Sequence, residues 1–182
     1  LIKSCSTCTK CDLHKTRKNV VIERGNRNAP IMLVGEGPGQ QEDEQGLPFV
    51  GRAGKLLDIL LDSLMFREED YYICNIVKCR PPDNRIPTDT EAETCLPFLR
   101  NQVALMRPPI IVCMGATAMK YIIDGNISIS KIRGSWIERK GYWIMPTFHP
   151  AALLRDSSKK EPMFKDFKKV YLKKLEIMGD RN

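Results

Sequence analysis

The sequence has 182 residues, of which 42% are hydrophobic and 28% charged, with a formal net charge of +7. A chain of this size can bury a sizeable core, and a single domain over residues 1–182 is expected. Its longest apolar runs, such as "IMLV" and "IIVCM", exclude a membrane-spanning helix, and its positive charge fits either a polyanionic partner such as nucleic acid or a solvated basic surface.

The first motif in chain order is "SCSTCTKC", with Cys5, Cys8 and Cys11 at three-residue steps. "APIMLVGEGPG" reads as a buried strand near Ile31 to Val34 running into a glycine-proline loop that continues to "GLPFVG". "GRAGKLLDILLDSLMF" then places Ala53, Leu56, Leu57, Leu60, Leu61 and Leu64 on one helical stripe. "YYICNIVK" reads as a second strand, and the prolines of "CRPPDNRIP" make that segment irregular. Thr88 and Glu91 have capping-box spacing and predict a helix start, with apolar Cys95, Phe98, Leu99 and Val103 following. "PIIVCMG" is a third strand and "ATAMKYII" a short helix. The next segment reads as a hairpin or meander turning at Lys140-Gly141 and ending in a strand near Tyr142 to Met145. Pro162 to Met178 is amphipathic and lysine-rich, as in a terminal helix.

Strands alternating with helices imply an α/β sandwich with a largely parallel sheet, whose ligand sits beyond the carboxyl ends of the strands. "GEGPG", "NIVKCRPP" and "HP" all fall there. "GEGPG" is not a dinucleotide fingerprint, because the sixth position is Gln40 and no helix is expected directly after it. A tight turn explains its glycines but not Glu36, a carboxylate able to position or activate a water. His149, stiffened by the following Pro150, stands at the last strand end, whereas His14 reads as a surface residue. Phe49 is either a loop anchor or a platform for a planar base. Asn75 can give a two-point hydrogen-bond pattern to a base edge or tie down a neighbouring loop.

The seven cysteines are an odd number, and no basic, apolar leader opens the sequence. Both features argue against a disulfide framework and for a reducing, cytoplasmic compartment. Cys74 and Cys113 sit within apolar strands and read as core residues. A close pair plus the distant Cys79 and Cys95 suits zinc or an iron–sulfur cluster, and the wide spacing of the second pair favours a cluster.

Together these residues resemble the family 4 uracil-DNA glycosylases, the iron–sulfur branch of the uracil-DNA glycosylase superfamily. The resemblance rests on "CTKCDLHKTRKNVV", "GEGPGQQEDEQGLPFVGRAGKLLD", "NIVKCRPPDNRIPT", Cys95 and "HPAALLR", in order from Cys8 to Arg155. It implies a three-layer α/β/α fold with a four-stranded, mostly parallel sheet. It implies a [4Fe–4S] cluster on Cys8, Cys11, Cys79 and Cys95, with Cys5 spare, and removal of uracil from single- or double-stranded DNA. Glu36 and Gly37 match positions that contact uracil and orient water, Phe49 the stacking residue, Asn75 the uracil-reading amide and His149 the residue meeting a uracil carbonyl. Family members often carry Ala at the position of Gly37 and Ser at that of Ala151. A covalent uracil-binding branch has an inserted basic loop with a reactive histidine, which "CRPPDNRIP" lacks.

Excision requires a flipped nucleotide. Arg52, Lys78, Arg80, Arg85 and Arg155, all near expected loops, are candidate phosphate contacts, and Leu153 or Leu154 a wedge or core residue. Glu42, with Asp43, is expected to share the water-activating work of Glu36. A monomer is expected. The competing readings are a non-catalytic iron–sulfur module that binds DNA or senses redox state, and a zinc hydrolase on the same fold.

Overall fold

The computed structural model describes residues 1–179. Its strands are β1 (Arg24–Gly25), β2 (Ile31–Gly35), β3 (Tyr71–Asn75), β4 (Ile110–Met114), β5 (Ile137–Arg139) and β6 (Tyr142–Thr147). They form one sheet in the order β1-β3-β2-β4-β6-β5. The four strands β3, β2, β4 and β6 are mutually parallel, as expected. The sheet is wider than four strands because β1 and β5 add short antiparallel edges. β5 and β6 make the expected hairpin, and Lys140 and Gly141 take φ of 52° and 80°, as a two-residue turn between twisted strands requires.

The helices are α1 (Ile2–Ser6), α2 (Gln40–Gln45), α3 (Arg52–Ser63), α4 (Asp89–Met106), α5 (Ala116–Ile122), α6 (Ile129–Ile132), α7 (Pro150–Arg155) and α8 (Lys160–Gly179). None is long and apolar enough to cross a membrane among the described residues. Alternate strand residues face two cores. Met32, Val34, Tyr72, Cys74, Ile111 and Cys113 pack with Leu96 and Leu99 of α4 and Met119 of α5. Ile31, Leu33, Ile73, Ile110, Val112 and Met145 pack with Leu57 and Leu61 of α3 and Phe167 and Val170 of α8. Helices on both faces of a mostly parallel sheet make the α/β/α sandwich.

Three segments differ from the sequence expectation. A helix, α2, does open directly after "GEGPG". Glu42 caps it by accepting from the Gly39 N–H at 3.1 Å, and Gly46 ends it at φ 74°. "PAALLR" forms α7, with Pro150 at its first turn and His149 as N-cap. The strand of "YYICNIVK" stops at Asn75, because Ile76 and Val77 turn their N–H groups to the carbonyls of Gly35 and Glu36. The helix predicted from Thr88 forms with both capping-box bonds in place.

The chain passes from β2 to β3 on one side and returns to β4 on the other. β2 is therefore the reversal point of the sheet, and a crevice opens past its carboxyl end. One contact closes that crevice tightly. A Cβ at Gly54, in the first turn of α3, would lie 1.9 Å from the carbonyl oxygen of Phe49. Gly54→Ala is expected to cost about 3 kcal/mol through forced overpacking. Gly179, with open space around it, should accept alanine without effect. Thermal unfolding of the two variants checks this, and equal midpoints would refute it.

Candidate active site

A cavity of about 200 Å³ lies at the carboxyl ends of the parallel strands. Glu36 and Gly37 follow β2, Asn75 ends β3, and His149 follows β6. Phe49 and Glu42 come from the segment joining β2 to α3, and Arg85 from the loop after β3; all seven line the cavity. Sequence-predicted Arg52, Lys78, Arg80, Leu153, Leu154 and Arg155 do not line it, although Ala53 and Ala151, beside two of them, do.

Phe49 is held in the left-handed region, at φ 56°. Its carbonyl accepts from Arg24 Nη1 at 2.8 Å and abuts Gly54. Its ring stacks on His149 with centroids 5.5 Å apart. Glu42 secures the same loop from below. Its Oε1 accepts from the N–H groups of Val50 at 2.9 Å and Gly51 at 2.7 Å, while Oε2 caps α2. These three backbone bonds commit Glu42 to positioning the loop, in place of the expected role in water activation. Asp43 is likewise occupied by the N–H groups of Lys18 and Asn19.

The Glu36 carboxylate accepts a short bond from the Thr117 hydroxyl. Thr117 was not singled out from the sequence. Its signal was available, since it lies in the first turn of the helix after β4 and so at the same edge of the sheet. The Asn75 side chain is 1% exposed, and its Oδ1 is a buried polar atom without a hydrogen-bond partner.

His149 accepts the Ala151 N–H on Nδ1 at 3.1 Å. An accepting Nδ1 places the ring proton on Nε2. Burial, with a contribution from the Arg155 charge, pushes the ring's pKa from 6.5 down to about 4. The imidazole is therefore neutral near pH 7.

The candidate phosphate contacts divide. Arg52 and Arg155 are exposed and Arg80 is partly exposed. Arg85 is tied to Glu91 by bonds of 2.8 and 2.7 Å, so its charge is matched. Lys78 is buried, 1% exposed, and cannot reach a phosphate on the surface. In α7, Leu154 is 43% exposed, whereas Leu153 packs against the core beneath α3 and α8.

A second, small cavity of about 20 Å³ is lined by Cys5, Cys8, Cys11, Cys79 and Cys95, together with Arg17, Lys78 and Phe98. All five cysteines are free. Arg17 Nη1 donates to Cys79 Sγ at 3.1 Å. Burial pushes the thiols of Cys5 and Cys95 up to about 11 and about 12, against the pull of the Lys78 charge. Such thiols become thiolates only when a metal takes the place of the proton. Among the described residues no three His, Cys, Asp or Glu side chains close around a single ion. The five cysteines line the same cavity, a thiol donor set of the kind that iron–sulfur clusters and zinc both take.

Comparison with known proteins agrees with this arrangement. The family model of the uracil DNA glycosylase superfamily matches residues 22–176. The chain is 52% identical over 153 residues to a type-4 uracil-DNA glycosylase of Thermotoga maritima, covering 83% of this chain and 80% of that protein. It is 43% identical over 178 residues to a type-4 uracil-DNA glycosylase of Archaeoglobus fulgidus, covering 93% and 89%. Another from Saccharolobus solfataricus is 44% identical over 172 residues, covering 90% and 80%. On a match of this extent, the chain belongs to the uracil DNA glycosylase superfamily, among its type-4 members.

Proposed function

We propose that this protein excises uracil from DNA by hydrolysing its N-glycosidic bond, leaving an abasic site for base excision repair. The observation that carries this reading is the Asn75 amide, buried on the cavity wall with its oxygen unpartnered. A buried acceptor left without a donor costs roughly 1–3 kcal/mol, which a ligand N–H can recover. Uracil offers N3–H flanked by two carbonyls. Asn75 Oδ1 accepts N3–H while its amide nitrogen donates to O4. Cytosine presents a lone pair and an amino group at the same positions, so it meets acceptor with acceptor and donor with donor. The cavity is below the ~300–1,000 Å³ of pockets for drug-sized ligands, and suits one small ring stacked on Phe49.

The mechanism follows from the groups around that ring. As the glycosidic bond stretches, negative charge builds on uracil and positive charge on the sugar. His149 donates through Nε2–H to the uracil O2, and Asn75 to O4, from positions fixed before the reaction starts. Glu36, anchored by Thr117, positions the attacking water and favours the cationic sugar. Water is the nucleophile in this reading, positioned by a carboxylate on the cavity wall. Arg52, Arg80 and Arg155 serve as phosphate contacts, and Leu154 fills the space left in the stack.

We assign a [4Fe–4S] cluster to Cys8, Cys11, Cys79 and Cys95. When bound it supplies a crosslink between the N-terminal segment, the loop after Asn75 and α4, and takes no chemical step. Cys5 is the fifth, spare thiol.

Three outcomes are expected. Glu36→Gln and His149→Gln should fold normally but release uracil about a hundred- to thousandfold more slowly from a uracil-containing oligonucleotide in single-turnover assays. Unchanged rates in both would remove the assignment. Secondly, ¹⁵N NMR should show His149 as the Nε2–H tautomer as the pH falls through 6.5, with protonation only near 4. Because the folded pKa lies below the unfolded one, the neutral ring's contribution to stability is present above 6.5 and is lost as the pH falls toward 4. A ring that titrates near 6.5 contradicts the capped geometry. Thirdly, Cys5→Ser should keep the brown visible absorbance of the purified protein and Cys8→Ser should lose it, and the reverse pattern would exchange the two roles.

A further inference from the structure

Lys78 directly follows the segment "NIV", which begins at Asn75 at the end of β3, and directly precedes Cys79. Its ammonium donates to the Asn75 carbonyl and to Gln102 Oε1, each at 2.6 Å. Gln102, also 1% exposed, passes the network on to the Tyr72 hydroxyl at 2.6 Å, which donates to Glu23 at 2.7 Å. Both direct acceptors of the ammonium are therefore neutral, and the nearest carboxylate of the network is three links away. A buried cation with neutral partners alone is expensive unless an opposite charge stands close by.

The cysteine cavity provides that place. Lys78 lines it together with Cys5, Cys79 and Cys95. Its carbonyl accepts from the Val21 N–H at 2.8 Å. Arg17 brings a second cation onto Cys79 Sγ. A resting four-iron cluster on four thiolates carries a net double negative charge, and these two side chains carry a matching double positive charge. Charge balance and hydrogen bonds to the sulfurs are what set the reduction potential of such a group.

We propose that Lys78 is a positioning residue that balances the thiolate cage with Arg17 and ties that cage to the strand end presenting Asn75. The proposal rests on the cluster assignment above. It gives the cage a link to uracil recognition, because Lys78 lines the cage while its ammonium holds the Asn75 carbonyl.

The test uses the holoprotein as purified and compares Lys78→Met, Lys78→Arg and Arg17→Gln. The cluster's midpoint potential is followed by electron paramagnetic resonance during electrochemical titration, and uracil recognition by inhibition with free uracil. Lys78→Met and Arg17→Gln should each move the potential to a more negative value, since reduction then adds an electron where a positive charge has been lost. Lys78→Arg should keep the potential near wild type. Lys78→Met should also weaken uracil inhibition about tenfold, the loss of roughly one hydrogen bond's positioning, and Arg17→Gln should not. An unchanged potential in the two neutral variants overturns the proposal. If Lys78→Met does not accumulate as folded protein, an unchanged potential in Arg17→Gln overturns it alone. Wild-type protein that purifies without iron defeats the cluster assignment itself, a failure visible before any variant is compared.

Discussion

At Gly35, a Cβ would lie 2.5 Å from Asn75 Oδ1 and 2.7 Å from the Phe49 ring. The last residue of β2 must therefore be without a side chain for the amide and the aromatic ring to meet above it. Parallel pairing puts Gly35 directly beside Asn75, so the amide's height in the sheet is set by the register and not by a flexible loop. Two further close approaches repeat the device. Gly54 lets α3 press on the Phe49 carbonyl, and Gly115, at φ 97°, leaves room 3.0 Å from its absent Cβ for the Cβ of His149. The site is built by letting a side chain or a carbonyl press onto a glycine at three strand and helix ends, which fixes where its groups sit.

Rigidity matters because the reaction's charges appear in fixed places. His149 shows how one local bond determines the chemistry. By capping α7 through Nδ1, the ring keeps its proton on Nε2, and a second proton on Nδ1 would displace the cap. In the proposed reaction, neutral donors suit a leaving group that departs as an anion, since they stabilise its charge through hydrogen bonds without transferring a proton. Glu42, with three backbone donors, acts one step removed by keeping the Phe49 loop over the cavity. Two acidic residues six positions apart thus have different surroundings and different work.

Much of this was legible in the sequence, and the exceptions have physical causes. The four parallel strands are short, mostly apolar runs, β2 and β4 bounded by proline and glycine, and α3, α4 and α8 carry long helical stripes, so periodicity finds them. α2 and α7 are six residues each, too short for a stripe, and are started by a capping glutamate and by a His-Pro pair. The edge strand β1 has two residues and exists only because β3 offers an unpaired edge, whereas β5, with three, is the first arm of the expected hairpin. Glu36, Phe49, Asn75 and His149 come together at one cavity because all lie at strand ends or in the loops that follow, positions that the order of strands and helices makes visible. Thr117 needed the partner it contacts, 81 positions away, to become visible.

Lys78 is the most instructive misreading. A lysine in "NIVKCRPP", next to Arg80 in a basic loop, has every local mark of a phosphate contact. What buries it is Gln102, 24 residues later on α4, and a cage assembled partly from the first 11 residues of the chain. Local sequence fixes a side chain's charge, while distant packing decides whether that charge meets solvent, a ligand or another part of the protein. In the five residues from Asn75 to Cys79, the chain passes from an amide on the wall of one cavity to a thiol on the wall of another, and Lys78 lies between them. Moving its charge to the surface removes the bonds it makes to the Asn75 carbonyl and to Gln102, so its burial is part of how this strand end is held.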